Sequence, residues 1–143
     1  MSNRCDQLQI RPFRPNDRQA VIRLWERCAL VVPANDPSAD IDCKLQVQPE
    51  LFLVGDVEAL IVATVMAGYE GHRGWINYLA VDPRYRLLGI GRRMMVAAEE
   101  RLRALGCPKI NLQVRQSNNG VIEFYRRLDY SVDPVTSLGK RLR

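Results

Sequence analysis

The sequence holds one histidine and four cysteines, and Cys5, Cys28, Cys43 and Cys107 fall at no paired spacing. Neither a zinc site, which needs clustered His and Cys ligands, nor a disulfide framework has support, and the thiols read as small hydrophobes. Long apolar runs are missing too. The longest, Ala59 to Ala67 with Thr64 inside it, is about half of the ~20 residues a membrane span needs, and Met1 to Gln9 is too polar for a signal peptide. A soluble, cytoplasmic chain with no metal and no membrane association is expected. Internal repeats, low-complexity tracts and Pro/Gly-rich linkers are absent as well. What remains, 143 residues of which 47% are apolar and 26% charged, fits one compact domain over residues 1–143.

Charge is unbalanced. Lysine and arginine total 21, nearly all of them arginine, against 16 acidic residues, giving a net +5 and pointing to an anionic partner. Strand-like nucleic-acid binding would want a basic stripe with interleaved aromatics, and the chain has no long basic run. The local concentration is Arg84, Arg86, Arg92 and Arg93 around a glycine loop, which favours a small phosphorylated ligand over a polymer.

Hydrophobic periodicity orders the chain. Gln7 to Phe13 reads as a strand. Asn16 and Gln19 form a capping-box pattern ahead of a helix with Val21, Leu24, Trp25 and Cys28 on its inner face. Asp36-Pro37 starts a second helix with Ile41 and Leu45 inward. Leu51 to Val54 and Ala59 to Tyr69, joined through a Gly-Asp turn, predict an antiparallel hairpin, and Trp75 to Val81 a further strand stopped by Asp82-Pro83. A long helix from near Gly89 buries Ile90, Met94, Ala98, Leu102 and Leu105. Ile110 to Val114 is a strand, Val121 to Leu128 a helix, and Tyr130 to Leu142 one or two closing strands. The class is mixed α/β.

The segment Val81-Asp82-Pro83-Arg84-Tyr85-Arg86-Leu87-Leu88-Gly89-Ile90-Gly91-Arg92-Arg93 runs from a strand through a glycine-containing loop into an amphipathic helix. Helix-start N–H groups without intrahelical partners, the helix dipole and the close approach glycine allows make this an anion site. It matches neither a Rossmann loop, which needs three spaced glycines, nor a P-loop, which needs Gly-Lys-Ser/Thr.

The run Arg86-x-x-Gly89-x-Gly91 after Leu79-Ala80-Val81-Asp82-Pro83 resembles the acetyl-CoA pyrophosphate motif of the GNAT N-acetyltransferases. Asn118-x-x-Val121-Ile122-x-Phe124-Tyr125-x-x-Leu128-Asp129-Tyr130 is similar to the family's second motif. The likeness covers roughly residues 7 to 142. Asn35-Asp36-Pro37, Gly71-His72-Arg73-Gly74 and Ser137-Leu138-Gly139-Lys140-Arg141 resemble small YpeA-type bacterial members. The resemblance implies a three-layer fold with a central mixed, mostly antiparallel twisted sheet and about four helices. It also implies acetyl-CoA as co-substrate. The strand end Leu79-Ala80-Val81 would hold the pantetheine arm, Arg86 and the amides of Leu87, Leu88, Gly89, Ile90, Gly91 and Arg92 the pyrophosphate, and Asn118 the cofactor arm. Tyr125 would protonate the departing thiolate as general acid.

Two positions depart from the family pattern. Asp129 stands where glycine is usual, an exchange the left-handed turn there should survive. Gln113 stands where a ribosomal-protein-modifying branch has a glutamate base. Candidate bases are then His72 and Glu70 in the loop between two strands, and Asp36. The expected activity is acetyl transfer from acetyl-CoA directly to a primary amine, of a small molecule or a protein N-terminus, by a monomer or homodimer. Two rivals stand beside it: a catalytically weak acyl-CoA-binding regulatory or interaction module, and an RNA-directed protein supported by charge alone.

Overall fold

The computed structural model describes residues 7–143, so Cys5 and the segment before Gln7 lie outside the described residues. The chain divides into two compact units, Met1–Leu112 and Gln113–Arg143.

The first unit is built on a five-stranded sheet of β1 (Gln9–Pro12), β2 (Phe52–Val57), β3 (Leu60–Tyr69), β4 (Gly74–Val81) and β5 (Ile110–Leu112), in that spatial order. Successive strands from β1 to β4 pair antiparallel, and β5 joins β4 in parallel. The three helices of this unit are α1 (Arg18–Arg27), α2 (Pro37–Leu45) and α3 (Ile90–Ala104). Strand alternation sorts the side chains onto two faces. Phe52, Val54, Ile61, Met66 and Ala80 pack with Val21, Leu24 and Trp25 of α1 and Ile41 of α2. Gly55, one residue on from Val54, faces the other way under Met94 of α3, so the unit has three layers: α1 and α2, the sheet, and α3. The fold is thus the GNAT-like three-layer α/β arrangement around a mixed, mostly antiparallel sheet.

Several local expectations change. The hairpin turn is Glu58–Ala59, both at positive φ (52° and 67°), the mirror-image turn that suits strand twist. Gly55-Asp56 lies instead inside β2 at a register shift. Packing explains that glycine, because a Cβ there would come within 3.0 Å of the Met94 sulfur and 3.1 Å of Leu8 Cδ1. The first helix is not opened by an Asn16/Gln19 box. A single 3-10 turn, Pro15–Asp17, precedes it, and the Asp17 carboxylate accepts from the Arg14 amide (2.8 Å) and from Arg11 (2.8 Å). Asp36 caps α2 as expected, accepting from the Ala39 amide at 3.1 Å. Leu105 falls at the C-cap of α3 and is exposed, three residues past Leu102, where the buried stripe ends.

The second unit carries α4 (Asn119–Arg126), followed by Asp129 in the left-handed region at φ 70°. No strand forms between Tyr130 and Leu142. Pro134 cannot donate to a ladder, and Val132, Val135, Leu138 and Leu142 are all exposed, so no apolar burial offsets the entropy of ordering that segment. Among the described residues no helix is long and apolar enough to cross a membrane.

Candidate active site

The exit from β4 is pinned by a buried carboxylate. Asp82 accepts from the Arg84 amide at 2.9 Å and forms ion pairs with Arg84 and with Arg27 at the end of α1, each at 3.0 Å. The Arg84 hydrogen bonds, then the charge of Arg27, outweigh the opposing effect of burial and hold this carboxyl at about 2. Pro83–Tyr85 then makes a single 3-10 turn, and Gly89 stands at the N-cap of α3 with φ 80°. Arg93 N–H closes the first helical turn onto the Gly89 carbonyl, so the N–H groups of Ile90, Gly91 and Arg92 have no intrahelical acceptor. A Cβ built on Gly89 would meet nothing within 4 Å, and open space therefore lies before these donors.

The four arginines expected here divide their work. Arg84 is committed to Asp82, and Arg93 donates to the Leu8 carbonyl at 3.3 Å. Arg86 Nε lies 3.4 Å from the Val81 carbonyl. Arg92 is exposed, with no partner among the described residues. Leu87 is at φ 64° with its side chain fully in solvent.

The strand leading into this loop is open along one edge. β5 pairs with β4 over Gly74, Ile76 and the residue between them, and β4 continues to Val81 with no paired strand on that side among the described residues. Asp82 N–H donates to Val62 of β3 at 2.8 Å, so by alternation Val81, and Leu79 two residues earlier, turn their backbone groups away from β3, where the Val81 carbonyl accepts from Cys28 Sγ at 3.3 Å and from Arg86 Nε. A register shift interrupts the β3–β4 ladder here, where Tyr78 has φ 50°. This bulge is held from within. Thr64 Oγ1 donates to the Tyr78 carbonyl (2.8 Å) and accepts from Trp25 Nε1 (2.9 Å), the Trp25 and Tyr78 rings stack at 3.9 Å, and the Tyr78 hydroxyl donates to Asp40 at 2.5 Å.

In the second unit Asn118 caps α4, its side-chain oxygen accepting from the Val121 amide at 3.4 Å and its amide nitrogen left to donate elsewhere. Tyr125 is buried between edge-on contacts to Phe124 and Tyr130, and burial pushes its hydroxyl up to about 12. Gln113 donates to the Ser137 hydroxyl.

The expected bases are scattered. Glu70 accepts from the His72 and Arg73 amides and so builds the β3–β4 turn. His72 is exposed in that turn, at the opposite end of β4 from the glycine loop, and the seven residues to Leu79 span about 23 Å at ~3.3 Å each. Asp36 is occupied as a helix cap.

The Acetyltransferase (GNAT) family matches residues 16–130. The chain belongs to this family. An acetyltransferase of Pectobacterium atrosepticum is 50% identical over 94% of this chain and 96% of its own length. Among solved structures, Ard1 from Thermoplasma volcanium aligns with a TM-score of 0.81 at 25% identity, covering 89% of this chain and 84% of its own. An aminoglycoside acetyltransferase from an uncultured soil metagenomic sample, in complex with sisomicin, shares the fold at a TM-score of 0.77 and 22% identity, over 99% of this chain and all of its own. As a GNAT acetyltransferase the protein is expected to use acetyl-CoA as co-substrate. The residues fit that molecule, since the free amides before open space suit a pyrophosphate and the open β4 edge suits an amide-bearing arm. Among the described residues no cluster of three or more His, Cys, Asp or Glu is placed to hold a metal ion.

Sequence reading missed Tyr78 and Asp40. Their partnership joins residues 38 positions apart through a bulge, and no local pattern signals either half. Asp82 was read as a strand stop, while its charge partner Arg27 lies 55 positions away.

Proposed function

We propose that this acetyltransferase moves the acetyl group of acetyl-CoA directly to a primary amine. The observation that carries the reading is the continuity of the open Leu79–Val81 edge with the free N–H groups at the start of α3. An arm laid along the first would bring its pyrophosphate to the second. The neutral amine nitrogen attacks the thioester carbonyl carbon, the carbon–sulfur bond breaks, the sulfur leaves with a proton, and the proton lost by the nitrogen passes to water, from which the donor is restored. Tyr125 is our donor for that proton. A phenol with its pKa raised to about 12 is fully protonated at neutral pH, and a developing thiolate gives it somewhere to send the proton. Asn118 would hold the cofactor arm. The reading takes residues 1–143 as one acetyltransferase domain.

His72 and Glu70, at the far end of β4, could serve as bases only through a relay of several waters, and the acceptor itself sets how much help is needed. A lysine-like amine of pKa ~10.4 is neutral in about one molecule in 2500 at pH 7, a deficit of ~4.6 kcal/mol, whereas an α-amine near ~8 loses only ~1.4. The rival reading, a cofactor binder with little chemistry, draws on Gln113, whose amide cannot take a proton and is engaged with Ser137.

The deciding experiment is thiol release from acetyl-CoA with polyamines, amino acids, N-terminal peptides and aminoglycosides as acceptors, run on the native protein and on Tyr125→Phe. The variant keeps the ring and its edge contacts. Turnover should fall ~10²-fold with acetyl-CoA affinity nearly unchanged. Unchanged turnover would remove the proton-donor role, and absence of any turnover despite acetyl-CoA binding would favour the binder.

A further inference from the structure

The β4 bulge has two sides. On the α3 side lie the loop and free amides already described. On the α1–α2 side lies a hydroxyl–carboxylate pair that helps hold the bulge and that the cofactor reading does not use. The Tyr78 ring is fixed by its stack on Trp25, and its hydroxyl proton is committed to Asp40 on the first turn of α2. Both residues are only half-buried, so the pair reaches solvent. With its one proton already given, the tyrosine oxygen can only accept from a newcomer, and a carboxylate can only accept as well. Burial, the Asp40 hydrogen bond and the charges of Asp40 and then Asp36 all raise the phenol above its ordinary range, so it stays protonated and the pair keeps one negative charge. Cations nearby are already engaged: Lys44, on the next turn of α2, donates to the Ala67 carbonyl at 2.5 Å, and Arg18 is paired with Asp42.

Building on the acetyl-transfer reading, we propose that Tyr78 and Asp40 are specificity-determining residues that receive the acceptor as a protonated amine, which releases one proton to water before its nitrogen attacks, on the α1–α2 side of β4. The pair accepts N–H bonds from an ammonium and offers no donor to an anion. With Asp36 one helical turn from Asp40, a carboxylate beside the reacting amine meets two like charges. The acceptor class is therefore a primary amine with no carboxylate on the adjoining carbon, such as a polyamine, an aminoglycoside or a peptide N-terminus, and free α-amino acids are excluded. A chain of net charge +5 otherwise repels such cations, so a local negative spot beside the bulge supplies the selectivity.

The test measures thiol release with spermidine, sisomicin, an N-terminal-alanine peptide and free alanine, on the native protein, Asp40→Asn and Tyr78→Phe. Each substitution preserves shape, and the acetyl-CoA-induced rise in thermal midpoint is recorded for all three proteins. The native protein should use at least one of the first three acceptors and discriminate against alanine by tenfold or more. Asp40→Asn should raise the KM for that amine about tenfold, leave the KM for acetyl-CoA within twofold, and shrink the discrimination against alanine. Tyr78→Phe should raise the amine KM severalfold. Unchanged amine KM and unchanged discrimination in both variants would overturn the proposal while leaving acetyl transfer standing. So would loss of acetyl-CoA binding in Asp40→Asn alone, which would make the pair a structural support. Failure of acetyl-CoA to bind the native protein would instead sink the reading of the cofactor site.

Discussion

Two residues of the phosphate loop sit at left-handed φ, and they are chemically unlike. Gly89, at φ 80°, adopts that region at little steric cost, whereas Leu87, at φ 64°, sets its Cβ against the backbone and gains nothing in exchange because its side chain is fully exposed. A left-handed leucine costs roughly 1–2 kcal/mol, partly offset by the greater unfolded-state freedom of glycine. Leu87→Gly should therefore raise the thermal midpoint by about 2–4 °C, measured by calorimetry without cofactor. A lowered midpoint would mean that the leucine packs on something in solution. The glycine's place at the start of α3 was legible from the sequence, because a glycine ahead of an amphipathic run marks a helix start. The leucine's strain was not, since nothing in a leucine announces its φ.

At the scale of elements, Asp82 ties the end of α1 to the exit of β4 through Arg27 and holds Arg84 across the following turn. Its carboxyl, held at about 2, is below the ordinary value, so the stability it contributes is complete above about pH 4 and is lost as the pH falls toward 2. With both arginines open to water the contribution is about 1–2 kcal/mol. Asp82→Asn should lower stability by that amount at pH 7 and flatten the decline between pH 4 and 2, read by urea unfolding across pH. An unaltered decline would assign acid lability to other carboxylates, Asp17 first, since Arg11 also holds it below its usual range. Elements with a strong period, such as α3 with Ile90, Met94, Ala98 and Leu102 buried, were legible because burial imposes the pattern directly. The β2–β3 turn was not. Gly55-Asp56 carries the composition of a turn, yet packing under Met94 claims the glycine, and the reversal falls on Glu58–Ala59, whose residue types give no such signal. The closing strands failed for a different reason: the apolar residues of that segment, Val132, Val135, Leu138 and Leu142, fall at three- and four-residue steps without strand alternation, and all are exposed.

Over the whole molecule, the order of elements from β1 to α4 and the glycine loop before α3 could be read from the chain, while the Tyr78–Asp40 pair could not, because it joins α2 to a bulge in β4 that meet only after folding. The same bulge and the early departure of β5 leave a stretch of β4, from the Ile76 end to Val81, with no paired strand on that side among the described residues. Such an edge exposes amides to solvent exchange and offers a template to other extended chains. A co-substrate lying along it would act as a removable sixth strand. The amides of Leu79 and Val81 should accordingly exchange deuterium rapidly in the free protein and slow by at least tenfold with saturating acetyl-CoA, while Ala80, already turned toward β3, changes little. Equal protection of all three without ligand would mean that the edge is covered by other means. If the exchange pattern holds, acetyl-CoA serves this protein as more than a reagent: its concentration also governs how long each molecule presents a sticky margin to its neighbours.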